Sequence, residues 1–456
     1  MQSSARRIPS GVCDGDLTYL TKPFFTLVYA IQDIALPVII LDLIGIFLIL
    51  FKERYDPRSF ILWLMILIFL PVFGFLAYLM WGCTLFEKHR FNRKYLSDRE
   101  LLGPVTAEGS LIPVCEAGTD IISEGNATFL FTSDIEDHAI QDIRGAERSI
   151  DLECGVLSRG RISRELADAA NRGVRVRILT GTYGFGRTAG VRDVVSAGGC
   201  SIPFDSTLHA AFSVKNRARL GRRFMVIDDS VSYMDSGIRL EGPASSRLGY
   251  RFEADWTYSS GDVPVEHATS APAGDCAVQV VSGGPDCPEG SPVQSMYQFM
   301  ASSSAETIII ATPFLVPDEE FHRILKLMSL SGTQVSMVFP RHGIRWYQYR
   351  NTMTATKSLL ECGVKVYFTE EDVRSTMVVS DGHLCATSPL PLSMVMMDSD
   401  FSINLVVESE DLSGSIVESI GDMMGSSNEY TLECYESRTI WDRVVFFTAR
   451  MFMFMN

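Results

Sequence analysis

Two stretches of the chain have the spacing of a catalytic strand without the reagent such a strand would carry. GRRFMVID runs from Gly221 to Asp228, with Arg223 five residues before the aspartate and apolar residues between them. RSTMVVSD runs from Arg374 to Asp381 and repeats the frame with Thr376 in place of the second basic residue. Neither octet carries a nucleophile at its first position, Gly221 or Arg374, because glycine has no side chain and arginine stays protonated near neutral pH. Charge is what remains. SVKNRARLGRR, residues 213–223, holds Lys215, Arg217, Arg219, Arg222 and Arg223 with no acid among them. Arginine pairs with phosphate bidentately, so this run together with Arg374 is a candidate anionic-headgroup site, against the plainer reading of a solvated basic face.

Asp228 and Asp381 have two readings, as relics of a reactive site or as strand-end residues that bind local backbone; the second is adopted. His209 and His383 lie nearest the octets. Neither stands two residues before a lysine, and both are read as surface or satisfied core histidines.

The elements that must position these residues begin with a membrane segment. SFILWLMILIFLPVFGFLAYLMWGC, Ser59 to Cys83, is free of charge over a length sufficient to cross a bilayer core of ~30 Å. The preceding apolar stretch, Phe24 to Phe51, is interrupted by Gln32, Asp33 and Asp42. A central aspartate costs ~2.5–3.5 kcal/mol on insertion scales, so this second helix is expected to tilt or shift, and Asp42 is read as a tolerated polar residue near an interface. Neither stretch has the pattern of a cleaved signal. The bias of Lys22, Lys88, Arg90, Arg93 and Lys94 over Lys52, Arg54 and Arg58 predicts a cell-membrane protein with its large domain cytoplasmic.

Composition narrows the rest. A net charge of −15 argues against nucleic acid, whose binding depends on clustered cations. The ten cysteines are scattered without a CxxC pair and without histidines at ligand spacing, so they read as reduced thiols, with no metal and no cofactor expected.

The soluble part contains a repeat. AERSIDLECGVLSRGRISRELADAANRGVRVRILTG, from Ala146, and AETIIIATPFLVPDEEFHRILKLMSLSGTQVSMVFPR, from Ala305, each pass from strand to helix to a glycine (Gly173, Gly332) and a second strand. SAGGCSIPF and ECGVKVYF follow, and after them the two octets. The order is β-α-β twice over, which predicts a duplicated α/β unit with a largely parallel sheet. HATSAPAGDC, 267–276, reads as the linker between the halves.

With PVFGFLAYLMWG, GVRVRILTG, the FEADW run from Phe252 to Trp256, ATPFLVPDEEF, LLECGVKVYF and MDSDFSINLVVES in this order, the chain resembles the bacterial cardiolipin synthases of the phospholipase D superfamily over most of residues 55 to 450. The resemblance implies an α/β fold in which a two-helix transmembrane hairpin precedes a duplicated domain with pseudo-twofold symmetry. The boundaries expected are a polar segment 1–23, the hairpin 24–83, a basic juxtamembrane linker 84–120, a first half 121–266, the linker 267–276 and a second half 277–456.

The same resemblance implies phosphatidyl transfer between two phosphatidylglycerol molecules, with one HxKxxxxD motif from each half. One histidine would attack phosphorus, the other would protonate the leaving glycerol, and the lysines would neutralise phosphate oxygens. Here the histidine positions hold Gly221 and Arg374, the lysine positions hold Arg223 and Thr376, and only Asp228 and Asp381 are kept. The usual GGxN or GSxN turns are replaced by Asp235-Ser236-Gly237-Ile238 and Ser388-Pro389-Leu390-Pro391. The expectation is a catalytically silent homologue that binds anionic phospholipid or pairs with an active paralogous synthase or with itself. The competing expectation is an active synthase with a non-standard site. The C-terminal RVVFFTARMFMFMN, 443–456, suits either the bilayer surface or packing on the second half.

Overall fold

A computed structural model describes residues 40, 43–47, 57–70, 73–78, 85–102, 119–129, 132–181, 189–204, 220–287 and 290–438. Residues 1–87 with 212–216 cluster as one unit, and the remainder as a second.

In the first unit the described part of the apolar run forms α1 (Pro57–Phe69) and α2 (Phe73–Ala77), and residues 71–72 and 79–84 lie outside the described residues. The Leu70 N–H donates to the Ile66 carbonyl at 2.9 Å and the Gly74 N–H to the Leu70 carbonyl at 2.5 Å. Trp63, Leu67 and Tyr78 are buried against Ile46, Ile66, Phe75 and Ala77. Outward the same unit exposes Ile44, Phe47, Ile68, Phe69 and Phe73, the last at 76%. Among the described residues no helix is long and apolar enough to cross a membrane: α1, with 13 residues, rises about 20 Å. Asp33 and Asp42 lie outside the described residues, as does the segment 443–456.

The second unit starts within helix α3 (Leu85–Leu102), in the span expected to be a linker, and its described residues form seventeen strands. Seven precede residue 267: β1 (Thr119–Phe129), β2 (Ser149–Cys154), β3 (Arg175–Thr180), β4 (Cys200–Pro203), β5 (Phe224–Ile227), β6 (Val231–Met234) and β7 (Ile238–Glu241). Ten follow: β8 (Cys276–Gly283), β9 (Thr307–Ala311), β10 (Leu315–Val316), β11 (Gln334–Pro340), β12 (Lys365–Thr369), β13 (Thr376–Ser380), β14 (Leu384–Ser388), β15 (Leu392–Ser393), β16 (Ser402–Glu408) and β17 (Asn428–Glu429).

Fifteen of these strands make one sheet, and β10 pairs separately with β15. From the antiparallel β1–β8 pair the sheet runs one way through β7, β6, β5, β2, β3 and β4, and the other way through β16, β14, β13, β9, β11, β12 and β17. On both sides four successive antiparallel pairings lead into two parallel ones, β2–β3–β4 and β9–β11–β12, and β17 adds an antiparallel edge to β12.

Helices cover both faces, and that explains why the central strands are apolar throughout. Side chains of β5 alternate between two cores. Phe224 and Val226 join the cluster that contains Leu248, Phe252 and Trp256 of α7 (Pro243–Ser260, with α4 to α6 being Thr132–Gly145, Arg161–Asn171 and Ala189–Ser196), while Met225 and Ile227 join Ile143 of α4 and Leu166 of α5. The two glycines matched in the sequence close equivalent turns. Gly173 and Gly332 take φ of 93° and 104°, and the next residues, Val174 and Thr333, donate back to Ala169 and Met328 at 3.1 Å each. A positive φ of this kind is what a helix-ending glycine supplies at least cost.

Candidate functional site

The period of two along the strand decides where each residue of the first octet points. Gly221 and Arg223 share a face with Met225, and Arg222 shares the opposite face with Phe224 and α7.

Gly221 is buried beside Phe401, whose backbone bridges to Leu220. A Cβ placed on Gly221 would lie 2.7 Å from the Phe401 carbonyl oxygen and 3.0 Å from Leu390 Cδ2. No side chain fits there unless backbone moves. Arg223 is exposed, and its Nη1 donates to Asp235 Oδ2 at 2.8 Å.

Arg222, expected to hold a lipid headgroup, is instead fully buried. Its guanidinium pairs with Asp255, donates to Ser282 Oγ at 2.8 Å, and lies 5.0 Å from the Phe401 ring centre. The reason is parity: of the adjacent Arg222 and Arg223, the first faces the acidic side of α7. Lys215, Arg217 and Arg219 lie outside the described residues.

Arg222 belongs to a buried cluster of three cations and three carboxylates. Lys94 pairs with Asp98, with Asp255 at 2.7 Å and with Asp286 at 3.6 Å. Arg251 pairs with Asp98 at 2.5 Å and Asp255 at 2.8 Å. Burial by itself would raise the Asp255 carboxyl, but Arg222, Arg251 and Lys94 hold it well below the usual range. Glu153 lies beside the cluster, fully buried, with no hydrogen bond to either carboxyl oxygen. Burial, then the charge of Asp255, pushes it up to about 8, so it stays neutral at pH 7.

The second octet is closed by hydroxyls. Thr376 is buried, donates to the Leu390 carbonyl at 2.6 Å, and lies 2.8 Å from Thr312 Oγ1. Thr312 Oγ1 in turn accepts from the Leu392 N–H at 3.0 Å. Arg374 stands on the surface, its side chain 71% exposed and paired with Asp372 at 3.1 Å. It therefore does not join the enclosed guanidinium of Arg222.

The two aspartates do the same work in each segment. Asp228, at φ 50°, accepts the backbone N–H groups of Glu147, Arg148 and Ser149 at 2.8, 2.7 and 2.8 Å. Asp381, at φ 47°, accepts those of Ala305, Glu306 and Thr307 at 2.8, 2.8 and 2.9 Å. The bonded backbone is that of the neighbouring strand, about 80 residues away for Asp228, rather than local backbone. Burial raises the Asp381 carboxyl, but its three backbone donors bring it below the ordinary value.

His267, in the segment expected to be a plain linker, is buried under α7. Its ring nitrogens lie 2.6 Å from Asp229 and 3.3 Å from Glu253, and Glu253 also takes Arg177 at 2.8 Å. Burial lowers its affinity for a proton, yet Asp229 and Glu253 raise it to about 9. His383 is exposed beside the Asp381 carbonyl, 3.2 Å away, and His209 is outside the described residues. Sequence reasoning missed Glu253, Asp255 and Lys94. The available signal was FEADW, two acids inside an otherwise apolar helical run, where a buried carboxylate demands a partner.

Comparison with known proteins agrees with the residues. A family model described as Phospholipase D-nuclease N-terminal matches residues 40–82. A cardiolipin synthase of Clostridium perfringens (strain SM101 / Type A) is 25% identical over 443 residues, 86% of this chain and 93% of that one. The major cardiolipin synthase ClsA of Bacillus subtilis (strain 168) is 23% identical over 466 residues, 89% of this chain and 95% of that one. The crystal structure of a phosphatidylserine synthase from Haemophilus influenzae Rd KW20 aligns with TM-score 0.49 and 10% identity, over 79% of this chain and 97% of that chain.

Proposed function

The chain is a homologue of the bacterial cardiolipin synthases, in the phospholipase D superfamily, and we propose that it is a membrane protein of phospholipid metabolism that has lost phosphatidyl transfer and retains binding to anionic phospholipid. The observation that carries this reading is the enclosure of Gly221 by Phe401 and Leu390. A histidine at that position would be needed to hold the phosphatidyl group, and loss of a covalent nucleophile costs roughly a millionfold in turnover by analogy with other enzymes. At the second histidine position stands exposed Arg374, and the hydroxyls around Thr376 close the second lysine position.

Several further observations support the architecture proposed with it. Matching strand orders on either side of β1–β8 support an internal duplication with a pseudo-twofold axis. The outward apolar residues of α1 and its neighbours support a hairpin anchored in the bilayer, with the large domain on the cytoplasmic side, since such a surface is unfavourable in water. Exposed Arg223 and Arg374 are the described cations left to meet phosphate from the set that includes Lys215, Arg217 and Arg219. An active paralogous synthase, or a second copy of this chain, remains the proposed protein partner.

The test is expression in a host lacking cardiolipin synthase, followed by lipid extraction. No cardiolipin above the empty-vector level is expected, and accumulation overturns the reading of an inactive site. Phosphatidylglycerol vesicles are expected to retain the protein less well after Arg223→Ala with Arg374→Ala. Unchanged retention leaves the basic residues as a solvated face.

A further inference from the structure

The second half of the chain has a cleft of about 360 Å³ that shares no residue with the octets or with the buried ion cluster. One wall is the helix Trp346–Leu360, which presents Asn351, Thr354, Ala355 and Ser358 at the i, i+3, i+4, i+7 spacing of a single helical face. The rest is lined by Leu315 and Val316 of β10, by Pro317, and by His322 of the helix Glu319–Leu330. The Leu315 N–H donates to Thr352 Oγ1 at 3.0 Å, and His322 Nε2 lies 2.8 Å from Ser358 Oγ, so both parts are tied to the first wall. Asn351 is the anomaly. It is 5% exposed, and neither its amide nitrogen nor its amide oxygen has a hydrogen-bond partner. A buried carboxamide left in this way destabilises the fold, so its presence calls for an occupant that completes it. The cleft is also far larger than the roughly 30 Å³ that one water takes up.

We infer that this cleft binds a neutral planar heterocycle of nucleobase size, whose edge sets a donor beside an acceptor and pairs with the Asn351 amide. Asparagine offers an N–H donor and a carbonyl acceptor in one plane, the complement of an adenine, cytosine or ring-carboxamide edge. Turning that amide toward a seated ring breaks no hydrogen bond that the fold makes. Leu315, Val316, Pro317 and Ala355 suit the faces of a ring and offer nothing to the hydroxyls of a polyol. An anion finds little to hold it. Lys357 at the lining is paired with Glu361 at 3.4 Å, and burial, then the charge of Lys326, lowers the proton affinity of His322, which leaves that ring neutral at pH 7. Ligand pockets span ~300–1,000 Å³, and a cleft at the lower end of that range suits one or two fused rings.

The test measures binding of adenine, cytosine and nicotinamide to the full chain in phosphatidylcholine nanodiscs by saturation-transfer NMR. Each is run beside its N,N-dimethyl analogue, which lacks the donor. At least one of the three is expected to bind saturably, and its dimethyl analogue at least tenfold more weakly. Asn351→Leu is expected to weaken binding at least tenfold, and so is Ala355→Phe, which fills the cleft and leaves Asn351 in place. The Asn351→Leu protein is expected to melt no lower than the parent, because it gives up no hydrogen bond. No saturable binding by any of the three, or binding indifferent to either variant, overturns the inference. Equal affinity of the dimethyl analogue overturns the paired edge, and a tenfold gain for adenosine 5′-phosphate over adenine overturns the neutral ligand. A lower melting temperature in Asn351→Leu overturns the unpartnered amide on which the assignment rests.

Discussion

Gly221 lies against Phe401 so closely that a single added carbon would come within 2.7 Å of the Phe401 carbonyl oxygen. The position that the motif reserves for a nucleophile is thus occupied by a neighbouring backbone, and one substitution cannot reopen it. Gly221→His together with Arg223→Lys is expected to yield no transferase activity and to lower the melting temperature. Overpacking of this kind costs about 1–3 kcal/mol. Thermal melting and lipid extraction check both halves of the expectation, and recovered activity in the double variant would falsify the closed-site account.

Arg222 and Asp255 form the centre of the buried cluster: removing Asp255 takes from Arg222 the carboxylate it pairs with, whereas removing Arg222 leaves Asp255 paired with Lys94 and Arg251 but sets three buried carboxylates against two cations. Arg222→Met is expected to destabilise by about 3–5 kcal/mol, because the buried cluster is left with uncompensated charge. Arg222→Met with Asp255→Leu is expected to cost less than the sum of the single changes. Chemical denaturation of the four proteins of the cycle measures the difference. A sum that is simply additive contradicts the pairing.

Asp381 holds three backbone N–H groups of the adjoining segment. Asp381→Ala is expected to cost about 1–3 kcal/mol, and Asp228→Ala a similar amount. Because the Asp381 carboxyl is depressed in the folded protein, its contribution is present above the unfolded value and fades as pH falls through the folded one. A melting profile below about pH 4 is therefore expected to flatten in Asp381→Asn relative to the parent.

His267 has the opposite sign. Its proton affinity is raised to about 9, so its ion pairs stabilise fully below the unfolded value near 6.5 and are lost as pH rises through about 9. The expected loss is on the order of 2 kcal/mol. His267→Gln is expected to lower stability at pH 6 and to remove the decline between pH 7 and 10. A parent protein whose melting temperature is level across that interval contradicts the assignment.

The α/β order and the positions of the turn glycines were legible from the chain alone, as was the departure of both octets from the HxKxxxxD spacing. They depend on local pattern: strand and helix periods, a glycine wherever a helix must end in a left-handed turn, and residue types in a known spacing. The apolar composition of the N-terminal part was legible in the chain, whereas the separate helices α1 and α2 are seen only in the structure.

What the sequence by itself determined is that neither octet carries a histidine while both end in an aspartate. Tertiary structure decided what those facts mean. Arg222 looked like one member of a basic run, and only the parity of the strand turned it inward to Asp255. His267 looked like part of a linker until the fold set it between Asp229 and Glu253. Whether the vacated motif is open or sealed depends on Phe401, 180 residues further on, because packing density is a property of surfaces brought together and no local pattern encodes it.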